Sequence, residues 1–398
     1  MGAGTAQRGA CLLISGKVRK NMEFVVFAGV LLLLFIFMIV QELIQTKNQE
    51  KLFKKYLREN YGKEPPKEYS LERFARLGSY LERHKEEKQL DDITWNDLGM
   101  DEVFRRIDRT YSAAGEEYLY YTLRNISCGR EALEHLEEVV NWLQEQENIK
   151  VRIQLLMKRL GHLGKYSLYD YLDNLDYLGE RSNRKIVLGN LLYLPFLLLL
   201  FVQPAMGTIG IVLCMLWHIM TYFREKKVIE PYIISFAYVL RLIDVCEELE
   251  KQKIPVYRRE LDELREVLKS LRELRRGAYW VMAGNQGKIG GNPLDILADY
   301  LRMILHLDIF QFNRMLEKLR KKTGQVETML AITGYLDMAI SVGGFRKSLE
   351  GYCIPKLEED TEKAFLHMKK GWHPLLSQPV KNSIRADRGT VSYTHLRA

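Results

Sequence analysis

Few side chains of this sequence could do chemistry, and their spacing does not assemble a catalytic set. His306 and Asp308 stand two positions apart, so one face of a helix cannot present both of them. His162 and His367 are isolated histidines with a predicted structural role, and His373 precedes a proline, which favours a turn. The five cysteines include no C-x-x-C pair, which predicts free thiols in a reducing compartment and no zinc site.

A glycine-rich segment at 284–291, GNQGKIGG, has the composition of a phosphate-binding loop. The spacing of that loop is not met, because Ile289 follows the Gly287-Lys288 pair and Met282 takes the place of the first glycine. We therefore predict a turn between two helices at this segment.

The overall composition favours a mainly α protein with an anionic partner. The 398 residues carry a net charge of +8 and include 10 prolines. A basic excess suits lipid headgroups or nucleic acid and does not choose between them. Asp97 and Ser112 are predicted to cap the helices that follow them. Apolar residues recur at helical spacing in 69–85, 131–145, 256–275 and 292–323.

Three apolar segments are long enough to cross a bilayer. Residues 22–40 contain one charged side chain, Glu23, and these 19 residues nearly span a hydrocarbon core of ~30 Å. Two further runs, 186–202 and 206–223, are joined by the short uncharged Gln203-Pro204-Ala205. The pattern predicts a single anchor followed by a helical hairpin, in which Pro195 kinks the first arm.

Basic side chains at both ends of the hairpin place both ends in the cytoplasm. Residues 41–185 connect the anchor to the hairpin and must share that side, which leaves the N-terminus outside. The flanking cations are Arg181, Arg184 and Lys185 before the hairpin and Arg224, Lys226 and Lys227 after it.

The N-terminal region is open to more than one interpretation. Four basic side chains precede the anchor and oppose this orientation, unless Met22 is the true start and residues 1–21 are upstream read-through. A cleaved signal peptide is the rival, but no small-x-small site follows Val40, so an uncleaved anchor is preferred. The basic, amphipathic segment 47–59 is expected either to lie on anionic lipid or to pack on the soluble part.

Four short motifs resemble the MutS family. Thr110 and Gly115 resemble the Thr-x-x-x-Gly pattern that starts the core domain of that family, with one residue more between them. Residues 334–342 are similar to the Leu-Asp-x-x-x-Ser helix that precedes its ATPase domain, and 352–355 resemble the Tyr-x-x-Pro that follows. Residues 371–384 resemble the run-in to that domain, where a His-Pro turn and a short strand ending in Asn precede the phosphate-binding loop.

The motifs follow the order of the family across residues 91–388, but the chain also departs from it. No Gly-x-Phe-x-Glu motif for reading mismatches occurs, residues 275–325 are too short for a DNA clamp, and apolar spans replace the mismatch-binding domain. The chain therefore resembles a membrane-anchored bacterial MutS-like subfamily. The resemblance implies an ATP-driven homodimer in the bacterial inner membrane, with weak, non-specific DNA binding expected and no mismatch recognition.

By the same resemblance, Val380 and Asn382 lie on the segment that lines the adenine pocket and are the candidate cofactor-binding residues. ATP and Mg²⁺ would be the cofactors of the intact protein. The sequence reaches Ala398 without the phosphate-binding loop, so this fragment is expected neither to bind nor to hydrolyse ATP well. Residues 391–398 resemble translated sequencing-adapter DNA and are expected to be an artefact.

The expected fold is a mainly α, MutS-like core, or lever, with three transmembrane helices and the first strands of a C-terminal α/β ATPase domain. The alternative is a non-enzymatic helical membrane scaffold that binds a protein partner. The expected parts are the extension 1–21, anchor 22–44, first core part 45–185, hairpin 186–223, second core part 224–370, truncated ATPase start 371–390 and artefact 391–398.

Overall fold

The computed structural model describes residues 36–41, 43–63, 69, 71–86, 88–126, 129–163, 167–275, 293–357, 365–376 and 378–387. The chain divides into two compact units, 1–59 and 60–398. In the first unit, residues 36–41 and 43–59 are helical and form α1. The predicted extension 1–21, most of the anchor, the glycine-rich segment 284–291 and residues 391–398 lie outside the described residues.

The second unit is mainly helical, as predicted. Before the hairpin come α2 (Leu71–Arg83), α3 (Asp92–Asp97), α4 (Met100–Ile107), α5 (Ala113–Arg124), α6 (Arg130–Glu145), α7 (Glu147–Leu160) and α8 (Leu168–Asp173). From the hairpin onward come α9 (Arg184–Leu191), α10 (Tyr193–Val202), α11 (Pro204–Glu250), α12 (Arg258–Leu271), α13 (Pro293–Leu305), α14 (Leu307–Arg320) and α15 (Thr323–Lys347). A two-stranded antiparallel sheet follows, formed by β1 (Phe365–Gly371) and β2 (Asn382–Asp387).

Local capping explains two of the helix starts and corrects one prediction. Ser112 caps α5 as predicted, because its hydroxyl oxygen accepts from the N–H three residues on at 3.1 Å. The predicted cap at Asp97 is wrong. Asp97 ends α3, and α4 begins after Gly99, whose φ of 60° is a left-handed conformation that favours glycine. Asp91 caps α3, with its carboxylate accepting from the N–H of Thr94 at 2.7 Å.

The helix predicted over 292–323 is two helices, α13 and α14, which meet at His306. His306 has a φ of 54°, a left-handed conformation that is uncommon for a residue with a side chain. The apolar spacing continues through the break, so periodicity alone could not reveal it.

The core forms around α15, which is covered by α5, α6, α12 and the second half of α11. Leu336 and Ala339 of α15 are fully buried, as is Phe236 of α11. The predicted apolar face of α12 is confirmed, since Leu261 and Leu264 are buried within the same cluster.

The hairpin is built from α9 and α10 as one arm and the first half of α11 as the other. The first arm is interrupted at Leu192, as Pro195 predicts, because proline offers no N–H to the carbonyl of Leu191 four residues earlier. A Cβ at Gly207 would lie 2.6 Å from the backbone nitrogen of Leu200. The two arms therefore pack at backbone distance, as small residues permit between membrane helices.

Three described helices are long and apolar enough to cross a membrane: Arg184–Val202, Pro204–Glu250 and Thr323–Lys347. The outer surface of the hairpin is exposed and apolar, as Phe201 (89% exposed) and Met220 (74%) illustrate. A continuous apolar surface of this kind suits lipid and not water. The third helix, α15, is enclosed by protein and is the central core helix.

The second arm does not end at Phe223, where the predicted hairpin ends. It continues without interruption to Glu250 as one helix of 47 residues, which is ~70 Å at 1.5 Å per residue. The large apolar side chains of the first half are mostly exposed, whereas Ile229, Ile233 and Phe236 in the second half are buried. One helix therefore runs from the hairpin into the core.

We expect reporter fusions after Lys150 and Lys253 to report the cytoplasm and a fusion at Gln203 to report the opposite side. The reason is that basic residues flank both ends of the hairpin, whereas its tip carries no charge. Alkaline phosphatase and green fluorescent protein fused at each site would measure this. Placement of the 150 and 253 fusions on opposite sides of the membrane would disprove the hairpin.

Candidate functional site

The two segments that carry the central motifs meet in a buried polar cluster, called here the α5–α15 node. Asp337 and Ser341 lie on one face of α15 because they are four residues apart, and both are almost fully buried. The start of α5 and the loop before it lie against this face. The node consists of Asp108, Thr110, Ser112, Glu116, Asp337 and Ser341.

The carboxylate of Asp337 is bound by the two residues that precede α5. Its Oδ2 accepts from the backbone N–H of Tyr111 at 3.0 Å and of Ser112 at 2.8 Å, and from the Ser112 hydroxyl at 2.6 Å. Backbone N–H groups at a helix start have no partner within the helix, and the helix dipole is positive there. Asp337 therefore serves as a cap for α5 that comes from a distant helix.

The loop between α4 and α5 is held by the same cluster. The Ser341 hydroxyl accepts from the N–H of Arg109 at 2.7 Å and donates to the carbonyl of Ile107 at 2.8 Å. Asp108 accepts from the N–H of Thr110 at 2.9 Å and from its hydroxyl at 2.6 Å. The buried polar groups of the loop are thereby satisfied, as buried groups require.

Two glycines allow α5 and α15 to approach closely at the node. A Cβ at Gly334 would lie 2.6 Å from the carbonyl oxygen of Ala114, and a Cβ at Gly115 would overlap the carboxylate of Asp337. Gly115 is therefore required because the Asp337 carboxylate lies against its Cα.

The two adjacent carboxyl groups near the start of α5 have different surroundings. Glu116 is fully buried and forms ion pairs with Arg73 and, at 2.7 Å, with Arg76. Burial raises the pKa of Glu117 to about 8, although the Ser167 hydroxyl donates to its carboxyl oxygen at 2.9 Å. Glu117 is therefore protonated at neutral pH.

A second polar cluster, the hairpin joint, connects the hairpin to α13 and α14. The Asn190 amide of α9 donates to the carbonyl of Leu305 at 3.1 Å, and the Tyr222 hydroxyl of α11 donates to Asp308 at 2.8 Å. His306 Nε2 lies 3.3 Å from the Thr221 hydroxyl. His306 and Asp308, which no single helix face could present together, thus both contact α11.

The two histidines of the hairpin joint are close and buried. The ring centroids of His218 and His306 are 5.2 Å apart. Burial, with a smaller contribution from the charge of His218, lowers the pKa of His306 to about 4, so its imidazole is neutral at pH 7. On its α11 side the joint therefore combines hydrogen bonds with contacts between uncharged His306 and the rings beside it.

The predicted cofactor-binding residues lie at the start of β2, where Asn382 is the first residue of the strand and Val380 belongs to the loop before it. Val380 is 76% exposed, and the amide of Asn382 donates to the Val380 carbonyl at 3.4 Å. The His-Pro turn is confirmed, since the N–H of Leu376 donates to the carbonyl of His373 at 3.2 Å. The strand begins at Asn382 and does not end there, because β2 pairs with β1 from this residue onward.

Within the described ranges, no other side chain bonds to Asn382, and no three His, Cys, Asp or Glu side chains are placed to hold a metal ion. Val380 and Asn382 are therefore brought together by the structure without an enclosed pocket around them. No family model, curated protein or solved structure matches the chain.

Sequence reasoning missed the partners of the buried charges. Arg76 of α2 and Glu116 of α5 are 40 residues apart, and Asp337 binds α5 across 225 residues. A signal was present in α15, because Asp337 is a single carboxylate in the apolar run from Gly334 to Gly344. A lone charge on an apolar helix predicts a buried partner, although the sequence does not say which one.

The change Asp337→Asn should lower the free energy of unfolding by about 3 kcal/mol. The amide of asparagine would face backbone N–H donors and leave them without a charged acceptor. Urea unfolding of the protein in detergent, followed by tryptophan fluorescence, measures the loss. Asp176→Asn is the matched control, because the side chain of Asp176 is 95% exposed. Equal stability of the two variants would contradict the assigned role of Asp337.

The protonated state of Glu117 predicts an unusual pH dependence. The folded state keeps the proton up to about pH 8, whereas the unfolded carboxyl loses it near 4.5, so the free energy of unfolding should fall as pH rises through this interval.

Glu117→Gln mimics the protonated group and should remove this slope, with a gain of about 1.4 kcal/mol at pH 8 for each unit of pKa shift. Unfolding curves between pH 5 and pH 8 measure it, on the scale of a few kcal/mol. The exposed Glu138→Gln is the control. Parallel pH profiles for the native protein and Glu117→Gln would refute a buried neutral carboxyl.

Proposed function

We propose that this chain is the membrane anchor and helical lever of a MutS-like ATPase, and that it acts as a homodimer when joined to a nucleotide-hydrolysing domain. The observation that carries this proposal is the α5–α15 node. Two of the segments that resemble the family, Thr110–Gly115 and Asp337–Ser341, lie far apart in the sequence. They contact each other directly, because the Ser112 hydroxyl donates to Oδ2 of Asp337 at 2.6 Å.

The helices are suited to carry a motion between a nucleotide site and the membrane. The 25 residues of α15 extend for ~38 Å and end at Lys347, shortly before the two-stranded sheet. Its buried face packs against the second half of α11, whose first half is an arm of the hairpin. A shift of α15 would therefore move the hairpin through packed side chains, which transmit displacement because interiors are dense.

ATP and Mg²⁺ would bind at the sheet, with Val380 and Asn382 beside the adenine. The exposed apolar side chains of Phe365, Met368 and Ile384 on β1 and β2 support this assignment. An apolar sheet needs a covering layer, which an α/β domain supplies. By this proposal the phosphate-binding elements belong to that domain, and the protein binds DNA weakly and without mismatch preference.

The same exposed sheet favours a second candidate function, a non-enzymatic membrane scaffold. Exposed Leu375, Leu376 and Val380 extend the apolar surface beyond the strands. A surface of this kind can bind a protein partner instead of a nucleotide domain. The two candidates differ in whether nucleotide is bound at all.

The genomic reading frame beyond codon 390 should encode G-x-x-x-x-G-K-[ST] within ~20 residues. The protein extended by that frame should hydrolyse ATP, whereas residues 1–398 should show neither turnover nor micromolar ATP binding, because phosphates and Mg²⁺ would have no cradle. Coupled-enzyme assays and calorimetry on both proteins in detergent measure this.

The matched control is the extended protein with the lysine of the phosphate loop changed to alanine, which should lose turnover and keep its fold. A stop codon in place of the motif would favour the second candidate function, a non-enzymatic membrane scaffold. Turnover by residues 1–398, or preference of about tenfold for a G·T duplex over a matched one in a gel shift, would reject the proposed role.

A further inference from the structure

Three cations surround one tyrosine beside the last turn of α15. The ammonium of Lys150 lies 3.7 Å from the ring centroid of Tyr61, and that of Lys347 lies 5.3 Å from the same centroid. Arg109 is close enough for its charge to lower the pKa of the Tyr61 hydroxyl, an effect that is smaller than the upward shift from burial. This group of Tyr61, Arg109, Lys150 and Lys347 is called the Tyr61 cluster.

Lys150 is a buried residue, only 5% exposed. No carboxylate of the described residues forms an ion pair with its ammonium group. Glu147, three residues earlier, acts on Lys150 only at longer range. Burial and the charge of Lys347 both lower the pKa of the Lys150 ammonium, which shows that the two lysines repel each other.

The hydroxyl of Tyr61 is buried in the same cluster and has no hydrogen-bond partner among the described residues. It lies against α15 at two adjacent glycines. A Cβ at Gly343 would be 2.6 Å from this hydroxyl, and a Cβ at Gly344 would be 2.9 Å from Cδ of Arg109. The glycine pair leaves room for polar groups that are costly to bury unpaired.

Neither the dipole of α15 nor the Tyr61 ring compensates both the unpaired hydroxyl and the two lysine charges. The C-terminal end of the α15 dipole favours the lysines but gives the hydroxyl no acceptor. The face of the Tyr61 ring attracts Lys150, but it does not reduce the repulsion between the two ammonium groups. An anion with several acceptor oxygens would satisfy the hydroxyl and both charges together.

We propose that the Tyr61 cluster is a binding site for a phosphate-type oxyanion, with the Tyr61 hydroxyl and the Lys150 and Lys347 ammonium groups as its donors. The ligand is a free phosphate, a phosphate monoester or a lipid phosphate headgroup, since these share a multiply charged group with tetrahedral oxygens. The site does not depend on the nucleotide site proposed at the sheet, and the two share no residue.

Titration of the full chain in neutral detergent with inorganic pyrophosphate, at constant ionic strength, tests the site. Pyrophosphate should raise the thermal unfolding temperature of the native protein. Lys150→Met should weaken its binding at least about tenfold in calorimetry, because a charge-assisted contact is lost. Tyr61→Phe should weaken it in the same direction by less.

Without pyrophosphate the same two variants should be more stable than the native protein, since each removes a buried unpaired polar group and keeps the apolar stem or ring. Lys251→Met is the matched control, because Lys251 is exposed and the change in net charge is the same. It should leave both stability and pyrophosphate binding unchanged.

Equal stabilisation of the native protein and Lys150→Met by pyrophosphate would be a general salt effect and would overturn the site. So would a loss of stability in Lys150→Met without the anion, because it would mean that the ammonium is already satisfied. Pyrophosphate binding to the protein in nanodiscs that contain phosphatidic acid distinguishes the two sources of the anion. If the lipid inhibits pyrophosphate binding, the natural ligand is a lipid headgroup, and if binding is unchanged, it is a soluble phosphate. Both of these results support the site.

Discussion

The fold of the second unit depends on the buried charge of Asp337. A carboxylate in a protein interior must be met by donors or it destabilises the fold, and α15 is otherwise apolar around this residue. The N–H groups of Tyr111 and Ser112, just before α5, meet it, which fixes the position where α5 crosses α15. The requirement for Gly115 and the contact of Ser341 with the loop before α5 follow from that crossing.

A second constraint is that the single helix α11 belongs to the exposed hairpin in its first half and to the protein core in its second half. The first half exposes large apolar side chains such as Met220, and the second half buries Phe236 within the core. No loop separates the halves, and Pro231, which lies inside the helix near their junction, removes one backbone hydrogen bond there. The hairpin joint adds hydrogen bonds from α9 and α11 to α13 and α14. This arrangement supports the proposal that the chain acts as a lever.

The α5–α15 node and the Tyr61 cluster differ in whether their buried polar groups have hydrogen-bond partners. In the α5–α15 node, Asp108, Ser112, Asp337 and Ser341 each have hydrogen-bond partners within the protein. In the Tyr61 cluster, the hydroxyl of Tyr61 has no hydrogen-bond partner and the ammonium of Lys150 has no anionic partner among the described residues. The groups of the node hold elements together, whereas those of the Tyr61 cluster are the donors of the proposed oxyanion site.

The sequence by itself determined the elements whose signals are local. Local patterns predict the apolar runs 186–202 and 206–223, the cap at Ser112 and the apolar face of α12. Each of these features depends on residues within a few turns of one another. The sequence did not predict the break at His306, because the apolar spacing continues through the residue whose backbone is left-handed.

Tertiary structure alone decided which charges meet. Asp337 was visible as an isolated carboxylate, but its donors on α5 lie 225 residues away. The raised pKa of Glu117 and the cations around Tyr61 likewise arise from burial and from side chains that are distant in the chain. Helix periodicity is a property of a single segment, whereas desolvation and charge pairing are properties of the packed whole, and only the folded chain specifies them.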